Sequence, residues 1–154
     1  MKHKKYRSVA FNNKKKVFVL NYTSGLEIEC PYSRLGIKSN VVETGLDKET
    51  GNHCFYFVLE DGEKDYITND QPLYIVRNPD YVKHETLFKV TVELQNVIAI
   101  KNISKRELAR SMNTSVTQIN RLLDQTNYKK DLSRLIEMAA VIGYEFELSL
   151  KKAA

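Results

Sequence analysis

The spacing of apolar residues changes character part-way along the chain. Up to about residue 70 they come in short runs with a period near two; after residue 78 they recur at intervals of three and four. The first period belongs to half-buried strands and the second to helices with one buried face. Lys16–Tyr22 (KVFVLNY) and Leu26–Cys30 (LEIEC) flank Thr23-Ser24-Gly25, a turn with a residue that accepts positive φ, so they predict a hairpin. Pro31 ends the second strand or confines it to an edge. Val41–Leu46 is a weaker strand, Asp47–Asn52 a turn, and His53–Leu59 (HCFYFVL) the most strand-like run. Asp61-Gly62 is a hairpin signal from which Lys64–Thr68 returns. No crossover helix separates these strands, so residues 16–70 predict one small antiparallel sheet of five strands.

Asn78-Pro79-Asp80 marks a helix start: a capping residue, a proline at the first position and an acid in the first turn. From Tyr81 to Asn102 there is neither glycine nor proline, and Leu87, Val90, Leu94, Val97 and Ile98 keep helical spacing. The many β-branched residues here favour strand locally, but length and cap favour helix. Ser104-Lys105-Arg106-Glu107 and Ser115-Val116-Thr117-Gln118 are two capping boxes. They open predicted helices over Lys105–Met112 and Val116–Asp124, which turn Leu108, Ala109, Met112 and then Ile119, Leu122, Leu123 inward. Asn113 between them tolerates the left-handed conformation. Asp131–Val141 is a further helix stopped by Gly143, and Tyr144–Leu150 (YEFELSL) alternates as a final strand that needs a partner.

The expected fold class is therefore α+β. A basic, flexible segment (1–16) precedes a β-rich dimerisation or partner domain (17–77) and a helical domain ending in a strand (78–154). Charge sharpens the division. Net charge is +5, but residues 1–16 carry +7, residues 17–85 carry −6 and residues 86–154 carry +4. Only the ends suit a polyanion, and the basic start is either a solvated tail or an arm that follows phosphates. No apolar run approaches the ~20 residues of a membrane span, and no signal-peptide core follows the basic start. A soluble, cytoplasmic protein is expected.

Catalytic chemistry finds no support in the pattern. Cys30 and Cys54 do not make a disulfide framework or a zinc site, and His3, His53 and His84 are scattered. Asp61, Asp65 and Asp70 are accounted for by a hairpin and by solvation, and Tyr56, Tyr66 and Tyr74 by core packing or a dimer surface rather than by base stacking. No enzyme activity, cofactor or metal is expected.

Two short capped helices joined by a tight turn make a helix-turn-helix. Ala109 is small enough for the second helix to cross closely, and the second helix presents its first turns, with free amides and positive dipole, to a groove. The run from Ile103 to Ser115, then Gln118–Asp124 and Ala139–Gly143, resembles the Cro/lambda-repressor, Xre-like group of helix-turn-helix proteins. Arg121-Leu122-Leu123-Asp124 and the ending Gly143–Leu150 are similar to the C-terminal half of HicB-type antitoxins.

With ~100° per residue and Ile119 on the core side, Thr117, Asn120, Arg121 and Asp124 point away from the core and Gln118 lies on the flank. Thr117 can meet a thymine methyl, Gln118 can pair with adenine, and Arg121 can grip guanine or phosphate. Gln118 could instead be consumed by its capping box, and Arg121 by a salt bridge to Asp124. Ser104, Lys105 and Arg106 are phosphate candidates, with Ser115 at the mouth of the second helix and Asn120 an intermediate candidate. Tyr128, Lys129 and Lys130 follow in a loop that can flank the groove. The resemblance implies a transcriptional repressor that binds double-stranded DNA as a homodimer. The alternative is an antitoxin whose acidic segment neutralises a basic toxin and whose helix-turn-helix regulates their operon.

Overall fold

The computed structural model describes residues 2–153. The chain divides into two compact units, Met1–Val82 and Lys83–Ala154. The division falls a few residues beyond the boundary drawn from sequence at 77/78, inside a helix rather than ahead of its cap.

The first unit is built from two antiparallel three-stranded meanders, not one five-stranded sheet. β1 (Tyr6–Asn12), β2 (Val17–Tyr22) and β3 (Glu27–Pro31) make the first; β4 (Val41–Leu46), β5 (Cys54–Leu59) and β6 (Lys64–Thr68) make the second. Strand β1 lies within the basic segment expected to be flexible. Its alternation is hidden in the sequence by a register shift between Tyr6 and Ser8, which resets the period. Arg7 is exposed, so basic charge and strand pairing are compatible. Lys14, Lys15 and Lys16 belong to the turn into β2, where Asn12 Oδ1 accepts from the Lys15 amide at 3.0 Å.

The two sheets enclose one core. Phe18 is fully buried and its ring centroid lies 5.1 Å from that of Phe55 and 4.9 Å from that of Tyr32. Asn13 links the sheets where no ladder does. Its amide donates to the Val41 carbonyl at 2.8 Å, and its Oδ1 accepts from the Val41 amide and the Tyr32 hydroxyl. Buried Tyr6 and Tyr22 donate to the carbonyls of Thr68 and Asn69. A short helix, α1 (Asp70–Ile75), follows β6 and buries Leu73 and Ile75. Its brevity and the proline at position 72 hide it from a periodicity reading.

The second unit holds most of α2 (Pro79–Ile100), then α3 (Lys105–Ser111), α4 (Val116–Leu123) and α5 (Leu132–Val141). Its core gathers Leu87 and Leu94 from α2, Leu108 from α3, Ile119 and Leu122 from α4, and Leu135 and Met138 from α5. Three of these helices end alike. After α2, α3 and α5, Asn102, Asn113 and Gly143 take φ of 52°, 51° and 84°. The amide two residues past each cap reaches back to a carbonyl in the last turn (Ile103 to Ile98, Thr114 to Ala109, Tyr144 to Ala139), the pairing that silences exposed helix carbonyls.

The final strand is a correction. Residues 144–153 adopt neither strand nor helix. Alternation equips Tyr144–Leu150 for a ladder, but a strand exists only where its backbone groups find another. Among the described residues, strands therefore lie in the N-terminal half alone, and no helix is long and apolar enough to cross a membrane.

Candidate nucleic-acid interface

Helices α3 and α4 are set by their caps. Ser104 Oγ accepts from the Glu107 amide at 3.1 Å, and Ser115 Oγ accepts from the Gln118 amide at 3.1 Å. In the first box the carboxylate does not make the return bond to the Ser104 amide that completes a capping box; the Ser104 hydroxyl donates to Glu107 Oε1 at 3.3 Å. Asn113 supplies the left-handed residue between the helices, so the turn can be as short as it is. Behind it Leu108, Ala109, Ile119, Leu122 and Leu123 are buried.

This packing decides which side of α4 is free. Thr117, Gln118, Asn120 and Arg121 are all exposed, as are Ser115 at the cap and Ser104, Lys105 and Arg106 at the start of α3. The alternative use of Arg121 in an ion pair with Asp124 is disfavoured by what Asp124 does. Its Oδ1 accepts from the Thr126 amide and hydroxyl at 2.9 and 2.7 Å, which holds this carboxyl below its usual range. Asp124 thereby caps a turn that ends the exposed face.

The loop after α4 departs from expectation at Lys130. This residue is 9% exposed, and its ammonium donates to Thr91 Oγ1 at 2.6 Å, to Asp124 O at 2.8 Å and to Leu122 O at 3.0 Å. It is a structural cation and not a phosphate contact. The C-terminus of α4 leaves carbonyls without helical partners, and a cation there meets both the hydrogen-bonding need and the helix dipole. Burial lowers the Lys130 pKa, while Asp124 opposes the shift. Tyr128 is half-buried and stacks on His84 at 4.4 Å between centroids, so its ring face is engaged inside the unit. Lys129 alone of the three is exposed.

Sequence reasoning missed the rest of this device. Gln95 of α2 donates to Leu123 O at 2.5 Å and accepts from Gln125 at 2.6 Å, and Asn127 donates to Arg121 O at 3.0 Å. Four successive carbonyls, from Arg121 to Asp124, are thus held by side chains from α2 and the following loop. The only advance signal was polar residues on α2 (Thr91, Gln95) at positions four apart, on a face that otherwise reads as core.

The exposed side of α4 borders an open groove of about 930 Å³ shared with the loop and the start of α5, where Gln118, Arg121, Lys129 and Arg134 meet Asp124 and Asp131. Both acids face inward duties: Asp131 Oδ1 accepts from the Ser133 amide at 2.9 Å as the cap of α5. Arg134 is paired with Glu137. Arg121 and Lys129 are left as the cations of the groove with no acid in salt-bridge range among the described residues.

The β unit shows no comparable arrangement. Asp61, Asp65 and Asp70 each accept a local hydrogen bond, from the Glu63 amide, the Tyr66 amide and the Thr68 hydroxyl. Among the described residues no group of three or more His, Cys, Asp or Glu could hold a metal. Tyr66 and Tyr74 are about half exposed and so are not core residues; Lys64 Nζ lies 4.3 Å from the Tyr56 ring centroid and 5.4 Å from that of Tyr66. No family model matches the chain, and no curated protein or solved structure does either.

Proposed function

We propose that the chain is a sequence-specific DNA-binding regulator, a dimeric repressor that lays α4 in the major groove. The observation that carries this reading is the free face of α4. Thr117, Gln118, Asn120 and Arg121 are exposed together on a helix whose other side is buried and whose C-terminus is locked. A rigid helix bearing a hydroxyl, two amides and a guanidinium matches the donor and acceptor pattern of base edges. Ser104, Lys105 and Arg106 on α3 and Lys129 beyond α4 would hold flanking phosphates, which position the reader without specifying sequence. One such helix makes few base contacts, so a two-fold dimer on half-sites about one helical turn apart is the economical arrangement.

The test is selection of bound duplexes from a randomised pool. Wild-type protein should enrich a two-fold symmetric motif, and Thr117→Ala with Gln118→Ala should blur it while nonspecific affinity persists. A pool that emerges without any enriched sequence would reject the reading.

A second reading rests on the acidic middle of the chain. Residues 17–85 carry −6, and Glu27, Glu29, Glu43, Asp61, Glu63 and Asp65 are exposed on the β unit. Such a surface would suit an antitoxin that masks a basic toxin while α4 regulates their operon. Co-purification of a basic partner encoded beside this chain would favour it, and its loss on reversing Glu27 and Glu29 would place the contact.

A further inference from the structure

We propose that the first unit carries a phosphate-binding groove between the β1–β2 turn and the loop that leads into β4, and that its ligand is the backbone of a nucleic-acid duplex. The groove lies wholly within the β unit and uses nothing from α4, so it is independent of the proposed reader.

The groove encloses about 610 Å³. Its walls are Lys15 and Lys16 from the β1–β2 turn, Lys38, Ser39 and Asn40 from the loop before β4, and Glu60 just past β5. Hydrogen bonds fix these walls without any ligand. Asn13, in the same turn as the lysines, accepts from the Val41 amide at 2.9 Å and donates to the Val41 carbonyl at 2.8 Å, which fastens the turn to the first residue of β4. Lys16 stands at φ 56°, in the left-handed region that disfavours every residue but glycine. The Tyr32 amide holds it there by donating to the Lys16 carbonyl at 2.9 Å. On the opposite wall the Ile37 amide donates to Tyr32 O at 3.0 Å. A left-handed residue over-determined by its neighbours is the kind of strain that collects at ligand clamps.

The lining suits an anion. Lys15, Lys16 and Lys38 are exposed, and none has an acid in salt-bridge range among the described residues. The backbone amides of Lys38, Ser39 and Asn40 follow one another, and none donates to a protein acceptor among the described residues. Successive unpaired amides form an anion-binding concavity. The one acid on the rim, Glu60, already accepts from the Asn40 side-chain amide at 3.0 Å. Residues 17–85 sum to −6, but two of the three lysines come from the +7 segment that precedes them, so the cationic field is local to the groove. The floor decides between a nucleotide and a backbone. Tyr32 is 2% exposed, its ring centroid lies 4.9 Å from that of Phe18, and its hydroxyl donates to Asn13. No aromatic face in the groove is open for a base to stack on. Phosphate without base is the backbone's pattern, a contact that positions and does not specify.

Nuclear magnetic resonance of the full chain tests this with two probes, a short duplex of arbitrary sequence and inorganic phosphate. At low salt the duplex should shift the amide signals of Lys38, Ser39 and Asn40. Changing Lys15, Lys16 and Lys38 together to Gln should reduce the slope of log affinity for that duplex against log salt by about 2 to 3, and the same reduction should appear in an Arg121→Ala background. The charge-matched set Lys4→Gln, Lys5→Gln and Lys48→Gln, exposed lysines of the same unit outside the groove, should leave the slope nearly unchanged. Groove amides silent to the duplex, a control set as effective as the groove set, or amides that answer to inorganic phosphate alone would each overturn the proposal, the last by making the ligand a free phosphate. Duplex selection with wild-type protein separates this site from the reader. An enriched motif with silent groove amides sinks the groove and keeps the reading of α4; groove amides that shift in a protein that enriches no motif do the reverse.

Discussion

Lys130 shows how far a residue's type can mislead about its place. In the sequence it closes a polar loop beside Lys129 and reads as a phosphate contact; in the fold its ammonium is the hub of three hydrogen bonds that close α4. Its partners, Thr91 and the carbonyls of Leu122 and Asp124, could be known only from the packing of α2 against α4. Lys130→Met should therefore destabilise the protein by about 1–3 kcal/mol in urea unfolding, because buried acceptors lose their donor, whereas Lys129→Ala should leave stability unchanged. The lowered pKa of Lys130 has a definite sign for pH. The unfolded chain binds this proton more tightly, so the lysine's contribution to stability improves as pH rises toward the ordinary lysine value of 10.5. The stability of wild type relative to Lys130→Met should therefore increase as the buffer is made more alkaline, whatever the other titrating groups do to both proteins. Arg121, in contrast, was legible. One helical wheel with Ile119 inside placed it outside, and the fold agrees. Arg121→Ala should cost roughly 1–3 kcal/mol of operator affinity if its contact to guanine is bidentate, with no change in melting temperature. Cys30 is buried and its thiol is pushed up to about 11 by that burial, so iodoacetamide should alkylate half-buried Cys54 first. Equal rates for the two thiols would contradict the packing of the first sheet.

At the scale of elements, what local chemistry dictates was readable and what a distant partner dictates was not. The caps at Ser104 and Ser115, the left-handed Asn113 and the stop at Gly143 are short-range features, and each stands where the residues put it. Strand β1 was hidden by its own register shift and α1 by its brevity. Tyr144–Leu150 has the pattern of a strand without the partner that makes one. The left-handed turn between α3 and α4 offers a direct check. Asn113→Val should destabilise the protein by about 1–2 kcal/mol because its Cβ branches crowd the carbonyl in that conformation, and Asn113→Gly should match or exceed wild-type stability. Thermal unfolding of the pair measures this, and an indifferent valine would mean that the turn is not held as described.

The whole molecule joins a β unit, whose basic start (+7 over residues 1–16) offsets the acids that follow it, to a helical unit that is net basic (+4 over residues 86–154), and the proposed function draws on the second. The charge sums were plain in the sequence, yet they could not tell which lysines are spent inside, as Lys130 is. If the free face of α4 meets duplex DNA, binding must release counterions, so affinity should fall steeply with salt, and Lys105→Ala should reduce the slope of log affinity against log salt by about 1. The most direct measurement is a footprint of the purified full chain on DNA upstream of its own gene. The account predicts two protected patches about one helical turn apart, both lost in Arg121→Ala at the same protein concentration. Uniform cleavage along the fragment, or protection that Arg121→Ala leaves intact, would contradict it.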